Sequence, residues 1–108
     1  MLTRRRWKRV EVDFRVRVSW ELDGEVQREI VRATSLSRGG IGIVCPDGLP
    51  TDNLIKLEFT LPGSLYEFQL MGTVRQGQGF HYGLEFVDLR ATDIFALAHF
   101  CDNFTAAP

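Results

Sequence analysis

Five basic residues, Arg4, Arg5, Arg6, Lys8 and Arg9, fall within the first ten positions with no acidic neighbour among them. Arg5 and Arg9 are four apart, which puts them on one side of the segment and lets both close on one ligand. Of the 13 basic residues in the chain only Lys8 and Lys56 are lysine, and arginine is the side chain whose planar fork grips phosphate and the guanine edge. The chemistry this cluster suggests is binding of a specific anion; a solvated basic tail is the alternative it leaves open.

The second candidate is Ser35-Leu36-Ser37-Arg38-Gly39-Gly40. It sets hydroxyls and side-chain-free backbone at a connection between strands, where a ligand is able to approach closely. Read alone, it fits an ordinary turn equally well.

The rest of the chain offers little reactive chemistry. Cys45 and Cys101 are far apart and read as reduced core residues, and with two scattered histidines, His81 and His99, they make no metal site. The histidines read as surface or core positions. No nucleophile-base spacing, phosphate-cradling glycine loop or metal motif occurs, so binding is expected rather than catalysis.

The elements that must carry these residues follow from periodicity. Val12, Phe14, Val16, Val18 and Trp20 alternate with polar residues from Val10 onward, which predicts a long strand with one buried face. Asp23-Gly24 is a hairpin signal, and a return strand is expected over about 25–33. A break at 34–40 precedes a short apolar strand at 41–45. Alternating strands follow over 54–61, about 66–76 and 80–87, separated by Pro62-Gly63 and Gly77-Gln78-Gly79. Six strands at near-hairpin spacing predict an all-β, six-stranded antiparallel β-barrel.

After Asp88 the period becomes helical. Ile94, Leu97, Cys101 and Phe104 share a face, Thr92 is placed to cap the first turn, and a C-terminal helix is expected to cover the barrel. At 108 residues there is material for one core. The expected organisation is a flexible arginine-rich arm at 1–10, a barrel with its helix at 11–104 and a frayed tail at 105–108. Trp7 in the arm is expected to pack on the barrel. The formal charge is −1, so apart from its basic arm the chain is acidic. No stretch reaches the roughly 18 apolar residues of a membrane span, and no secretory signal opens the chain, so a cytoplasmic protein is expected.

Together the two candidate segments resemble the PilZ domain family, whose signature is Arg-x-x-x-Arg in an N-terminal arm and then, after one hairpin, Asp/Asn-x-Ser-x-x-Gly at the start of a barrel strand. Arg5-Arg6-Trp7-Lys8-Arg9 matches the first motif. In the second, Ser37 and Gly40 match while Ser35 replaces the acid or amide. The late strand Tyr82-Gly83-Leu84-Glu85-Phe86 and the following helix extend the resemblance over nearly the whole chain.

The resemblance implies a receptor for cyclic di-GMP, a bacterial second messenger. Arg5 and Arg9 would lie on phosphate and guanine, and Ser35, Ser37, Gly39 and Gly40 would hold a guanine from the barrel side. Arg4, just before the first motif arginine, implies two ligand molecules per domain. Binding would re-pose the arm for an unidentified protein partner in motility, biofilm or exopolysaccharide control, with no membrane insertion. Two other readings compete: a PilZ-like interaction module that has lost its nucleotide, suggested by Ser35, and a small-barrel binder of single-stranded nucleic acid. The acidic barrel argues against the latter.

Overall fold

The computed structural model describes residues 7–104. The expectations placed on residues 1–6 and on the tail at 105–108 lie outside the described residues. In chain order the elements are β1 (Val10–Leu22), β2 (Glu25–Leu36), β3 (Gly40–Val44), β4 (Ile55–Thr60), β5 (Glu67–Gln78), β6 (His81–Val87) and α1 (Ala91–Asn103). All neighbouring strands pair antiparallel and close into a barrel in the order β1-β2-β3-β6-β5-β4.

Closure depends on the length of β1, which pairs with β2 over most of its course and with β4 from Arg17 to Ser19 on its other side. The β1–β2 hairpin turns at Asp23 and Gly24, whose φ angles of 52° and 82° are both left-handed, as a two-residue hairpin loop requires. Period-two alternation then fills the interior: Val16, Val18, Ala33, Ile41, Ile55, Leu57 and Phe68 are fully buried. The six-stranded antiparallel barrel with a C-terminal helix is thus the fold that periodicity predicts.

Three boundaries differ from the periodicity by two residues or more. β2 continues to Leu36 instead of breaking at residue 34, because one extra residue, Thr34, is absorbed as a bulge between the Ala33–Ile43 and Ser35–Gly42 pairs. A bulge lets the ladder resume beyond an irregular position. β5 likewise runs through Gly77 and Gln78, so the turn contracts to Gly79 and Phe80, with Gly79 at φ 62°. At the helix, Arg90 rather than Thr92 occupies the N-cap. The buried positions of α1 are Asp93, Leu97 and Cys101, while Ile94 stands 41% exposed.

That helical rotation has an electrostatic cause. Asp93 is 2% exposed and accepts hydrogen bonds from the Tyr66 hydroxyl at 2.9 Å, from Nε and Nη2 of Arg90 at 3.2 and 3.3 Å, and from the Arg90 backbone N–H at 3.3 Å. A carboxylate so supplied stays buried at the first turn, where the helix dipole also favours it, and Leu97 and Cys101 then follow at four-residue intervals onto the barrel. Tyr66 is the end of an aromatic row: Phe14, Phe59, Phe68 and Tyr66 lie with successive ring centroids 5.4, 5.0 and 4.6 Å apart. At the other end of the helix the Cys101 thiol reaches the Leu36 carbonyl at 3.6 Å.

Cys45 and Cys101 are both buried and unbridged, and burial pushes both thiols up from their ordinary value. They remain protonated near neutrality and pack as small apolar groups. Among the described residues no helix is long and apolar enough to cross a membrane, and no group of three metal-ligating side chains gathers.

Burial pushes the Asp93 carboxyl up, but the hydrogen bonds from Arg90 and Tyr66 outweigh it and hold it below 3.8. Its stabilisation is therefore complete above that pH and disappears as pH falls through the lower folded value. Asp93→Asn is expected to cost about 1–3 kcal/mol at pH 7 in urea unfolding. The gap between wild type and variant should close as the titration is carried below pH 3.8; a gap that stays constant would assign the loss to shape rather than charge.

Candidate functional site

The 37–40 turn is built by Ser37. Its hydroxyl oxygen accepts from the N–H groups of Gly39 at 3.1 Å and Gly40 at 3.2 Å, and its own N–H donates to the Gly40 carbonyl at 2.9 Å. The side chain is 7% exposed, so Ser37 shapes the corner from within. Gly40 is needed for a close approach of β3 to β6: a Cβ there would lie 2.4 Å from the Leu84 carbonyl oxygen, and the Phe86 N–H closes the same junction on the Gly39 carbonyl at 2.9 Å.

The N-terminal segment meets this turn directly. Trp7 lies against Gly39, where an added Cβ would come within 2.7 Å of the indole Cδ1. The Arg38 guanidinium stands over the Trp7 ring, 4.3 Å from its centroid, a cation–π geometry. Arg38 also approaches Asp102 of α1 at 3.8 Å. Arm, turn and helix are thereby joined through one arginine, and Trp7 packs on the barrel as expected.

Beside this junction lies a polar pocket of about 630 Å³. Its floor is made where strands carry no side chains. Ser35 pairs with Gly42, Gly42 with Gly83, and Gly83 with Gln76, so one row across β2, β3, β6 and β5 has two glycines at its centre. Arg9, Thr34 and Ser35 stand on one rim, and Arg75, Gln76 and Gln78 on the other, with Tyr82 and His81 completing the lining. Both rims carry a bulge: Thr34 is the extra residue of β2, and Arg75 that of β5 between the Val74–Leu84 and Gln76–Gly83 pairs.

Of the residues singled out in the sequence, Arg9 and Ser35 meet in this pocket. Ser37, Gly39 and Gly40 form the adjoining turn and are not among its lining residues. Arg4 and Arg5 lie outside the described residues. Sequence reasoning missed the far rim: Arg75, Gln76 and Gln78 stood out in no motif, and His81, set aside as a surface or core position, in fact lines the pocket. The available signal was the glycine content of the adjoining strands, since Gly42 and Gly83 weaken strands without serving any turn.

The arrangement suits a flat, anionic, hydrogen-bonding ligand. Arginine forks address phosphate oxygens, amide and hydroxyl groups address a base edge, and a glycine floor lets a ring lie close to the backbone. A second cleft, of about 690 Å³, runs between α1 and the β4–β5 connection, but its walls include Leu61, Phe95, Ala96 and Phe100 and contain no lysine or arginine.

A family model described as PilZ domain matches residues 3–103. Among solved structures, the Bacillus subtilis inhibitor of motility (MotI/DgrA) superposes with a TM-score of 0.71 at 22% identity, covering 94% of this chain and 51% of that one. The chain thus spans about half the length of that structure. The PilZ domain of CeSA from a cellulose synthesizing bacterium matches with a TM-score of 0.65 at 17% identity, over 87% of this chain and 94% of the other. At these identities the likeness is one of fold. No curated protein matches.

The two kinds of glycine are separable by experiment. Gly40→Ala drives a methyl into the backbone of β6 and should lower stability by about 1–3 kcal/mol in chemical denaturation. At Gly83 an added Cβ meets nothing nearer than Gln76 at 3.7 Å, so Gly83→Ala should change stability by no more than about 0.5 kcal/mol. Equal losses at the two positions would contradict this assignment.

Proposed function

Because the chain belongs to the PilZ domain family, a family of cyclic di-GMP receptors, we propose that it binds this second messenger in the pocket beside the 37–40 turn and re-poses its arm on binding. The observation that carries the reading is the meeting of Arg9 and Ser35, one residue from each sequence motif, in a single pocket. Arg5 and Arg4 join them from the arm, and the Ser37–Gly40 corner presents backbone to the ligand's edge.

A cyclic dinucleotide offers phosphates for charge-assisted forks, guanine O6 and N7 for bidentate donors, and base planes on which guanidinium groups stack. Charge-assisted hydrogen bonds net about 1.5–3 kcal/mol each, whereas ordering backbone costs about 1–2 kcal/mol per residue. An arm of several residues therefore needs contacts with the barrel as well as with the ligand. The packing of Trp7 on Gly39 beneath Arg38 supports the reading by supplying such a contact.

No reaction is part of the proposal. The output is a change of surface read by a protein partner in the cytoplasm, in control of motility, biofilm or exopolysaccharide. Two ligand molecules are bound per domain, the second engaged by Arg4. Ser35 supplies one neutral oxygen where an aspartate would present two charged ones, so it weakens the site without removing its arginines.

Titration calorimetry with cyclic di-GMP tests this. Binding by the wild type with a stoichiometry of two is expected, Arg9→Ala should weaken it at least about tenfold, and Ser35→Asp should tighten it. Hydrogen exchange at residues 2–10 should slow in the complex. No binding by the intact chain would favour an interaction module without nucleotide. Salt-sensitive binding of any single strand would favour the nucleic-acid reading instead.

A further inference from the structure

Resting on the cyclic di-GMP reading, we propose that Arg75 is a further ligand-binding residue of this pocket, held in the free protein by Glu85 and surrendered to the ligand's phosphate. Arg75 belongs to neither sequence motif. It is the extra residue of the β5 bulge, and a bulge re-aims a side chain that the regular pleat would send elsewhere. Here it brings Arg75 to the pocket, across the Gly42–Gly83 floor from the rim that carries Arg9 and Ser35.

Its present partner is a poor match for its fork. Nε and Nη2 of Arg75 both converge on a single oxygen of Glu85, at 3.0 and 2.6 Å. The parallel arrangement, one donor to each of two oxygens, is the strong one for guanidinium and carboxylate or phosphate. Both side chains are also more than half exposed, at 64% and 52%, and exposed ion pairs contribute little to stability. Glu85 is therefore an anionic placeholder that water and ligand are able to displace at small cost. A phosphate with two free oxygens satisfies both donors of Arg75 in the geometry the carboxylate leaves unmade.

Two consequences follow for a cyclic ligand. Its phosphates are addressed from opposite rims, by Arg9 and Arg75, instead of from the arm alone. The carboxylate competes with the ligand for the same guanidinium, so Glu85 sets the concentration at which the receptor responds. The glycine floor makes this possible, because side chains at positions 42 and 83 would separate the two rims.

The test is a double-mutant cycle by calorimetry with cyclic di-GMP on the full chain: wild type, Arg75→Ala, Glu85→Gln and the double variant, with Arg9→Ala and Arg28→Ala as controls. Arg75→Ala should weaken binding about tenfold, and Glu85→Gln should tighten it about threefold. In the Arg75→Ala background, Glu85→Gln should have no effect. Arg28→Ala, an exposed β2 position away from the pocket, should leave affinity unchanged and so exclude a general charge effect. If the wild type binds and Arg9→Ala abolishes binding, while Arg75→Ala stays within twofold of wild type, the role of Arg75 falls and the receptor reading stands. Tightening by Glu85→Gln that persists without Arg75 would equally overturn the competition. A wild type that does not bind removes the receptor reading and this inference with it.

Discussion

The approach of β3 to β6 is the constraint from which the rest of the molecule follows. At Gly40 the two backbones are so near that no side chain fits between them, and two residues further along the same strand Gly42 faces Gly83. The first contact fixes the corner that Ser37 shapes and on which Trp7 rests. The second leaves an unoccupied floor between two polar rims. Packing and site are thus consequences of one choice, small residues along a single seam of the barrel. Elsewhere the interior is filled in the usual way, by branched aliphatic residues and an aromatic row.

How legible this was in the sequence depends on how far each signal reaches along the chain. Strand alternation and the Asp23-Gly24 turn are local, and both hold in the structure. The bulges at Thr34 and Arg75 are set by pairing between strands, so no window of one strand reveals them; this is why residues 34 and 35 read as a break and why nothing marked Arg75. The helix rotated away from its apparent apolar stripe for a comparable reason. Asp93 is polar, and only Tyr66, 27 residues earlier, together with Arg90 makes its burial favourable. The two motif segments were visible because their chemistry is carried by residue types at fixed spacing, whereas the opposite wall of the pocket is assembled from β5 and β6 by register alone.

The two sides of the pocket also differ in their attachment. The Ser35 side is continuous with the turn and, through Trp7 and Arg38, with the N-terminal segment and the helix residue Asp102. The Arg75 side belongs to the β5–β6 ladder, which remains paired from Met71–Val87 to Gln78–His81. One wall is therefore in contact with the N-terminal segment and the helix, and the other is part of a continuous strand ladder. Arg38 touches Trp7 and approaches Asp102 in the last turn of α1, and so meets both.

A ring of strands in which every member has two neighbours has further implications for association. The closure is short at two seams, however: β1 meets β4 only from Arg17 to Ser19, and β2 meets β3 only from Arg32 onward, so among the described residues the 25–31 stretch of β2 is paired on one side alone and its other margin is open to an added strand.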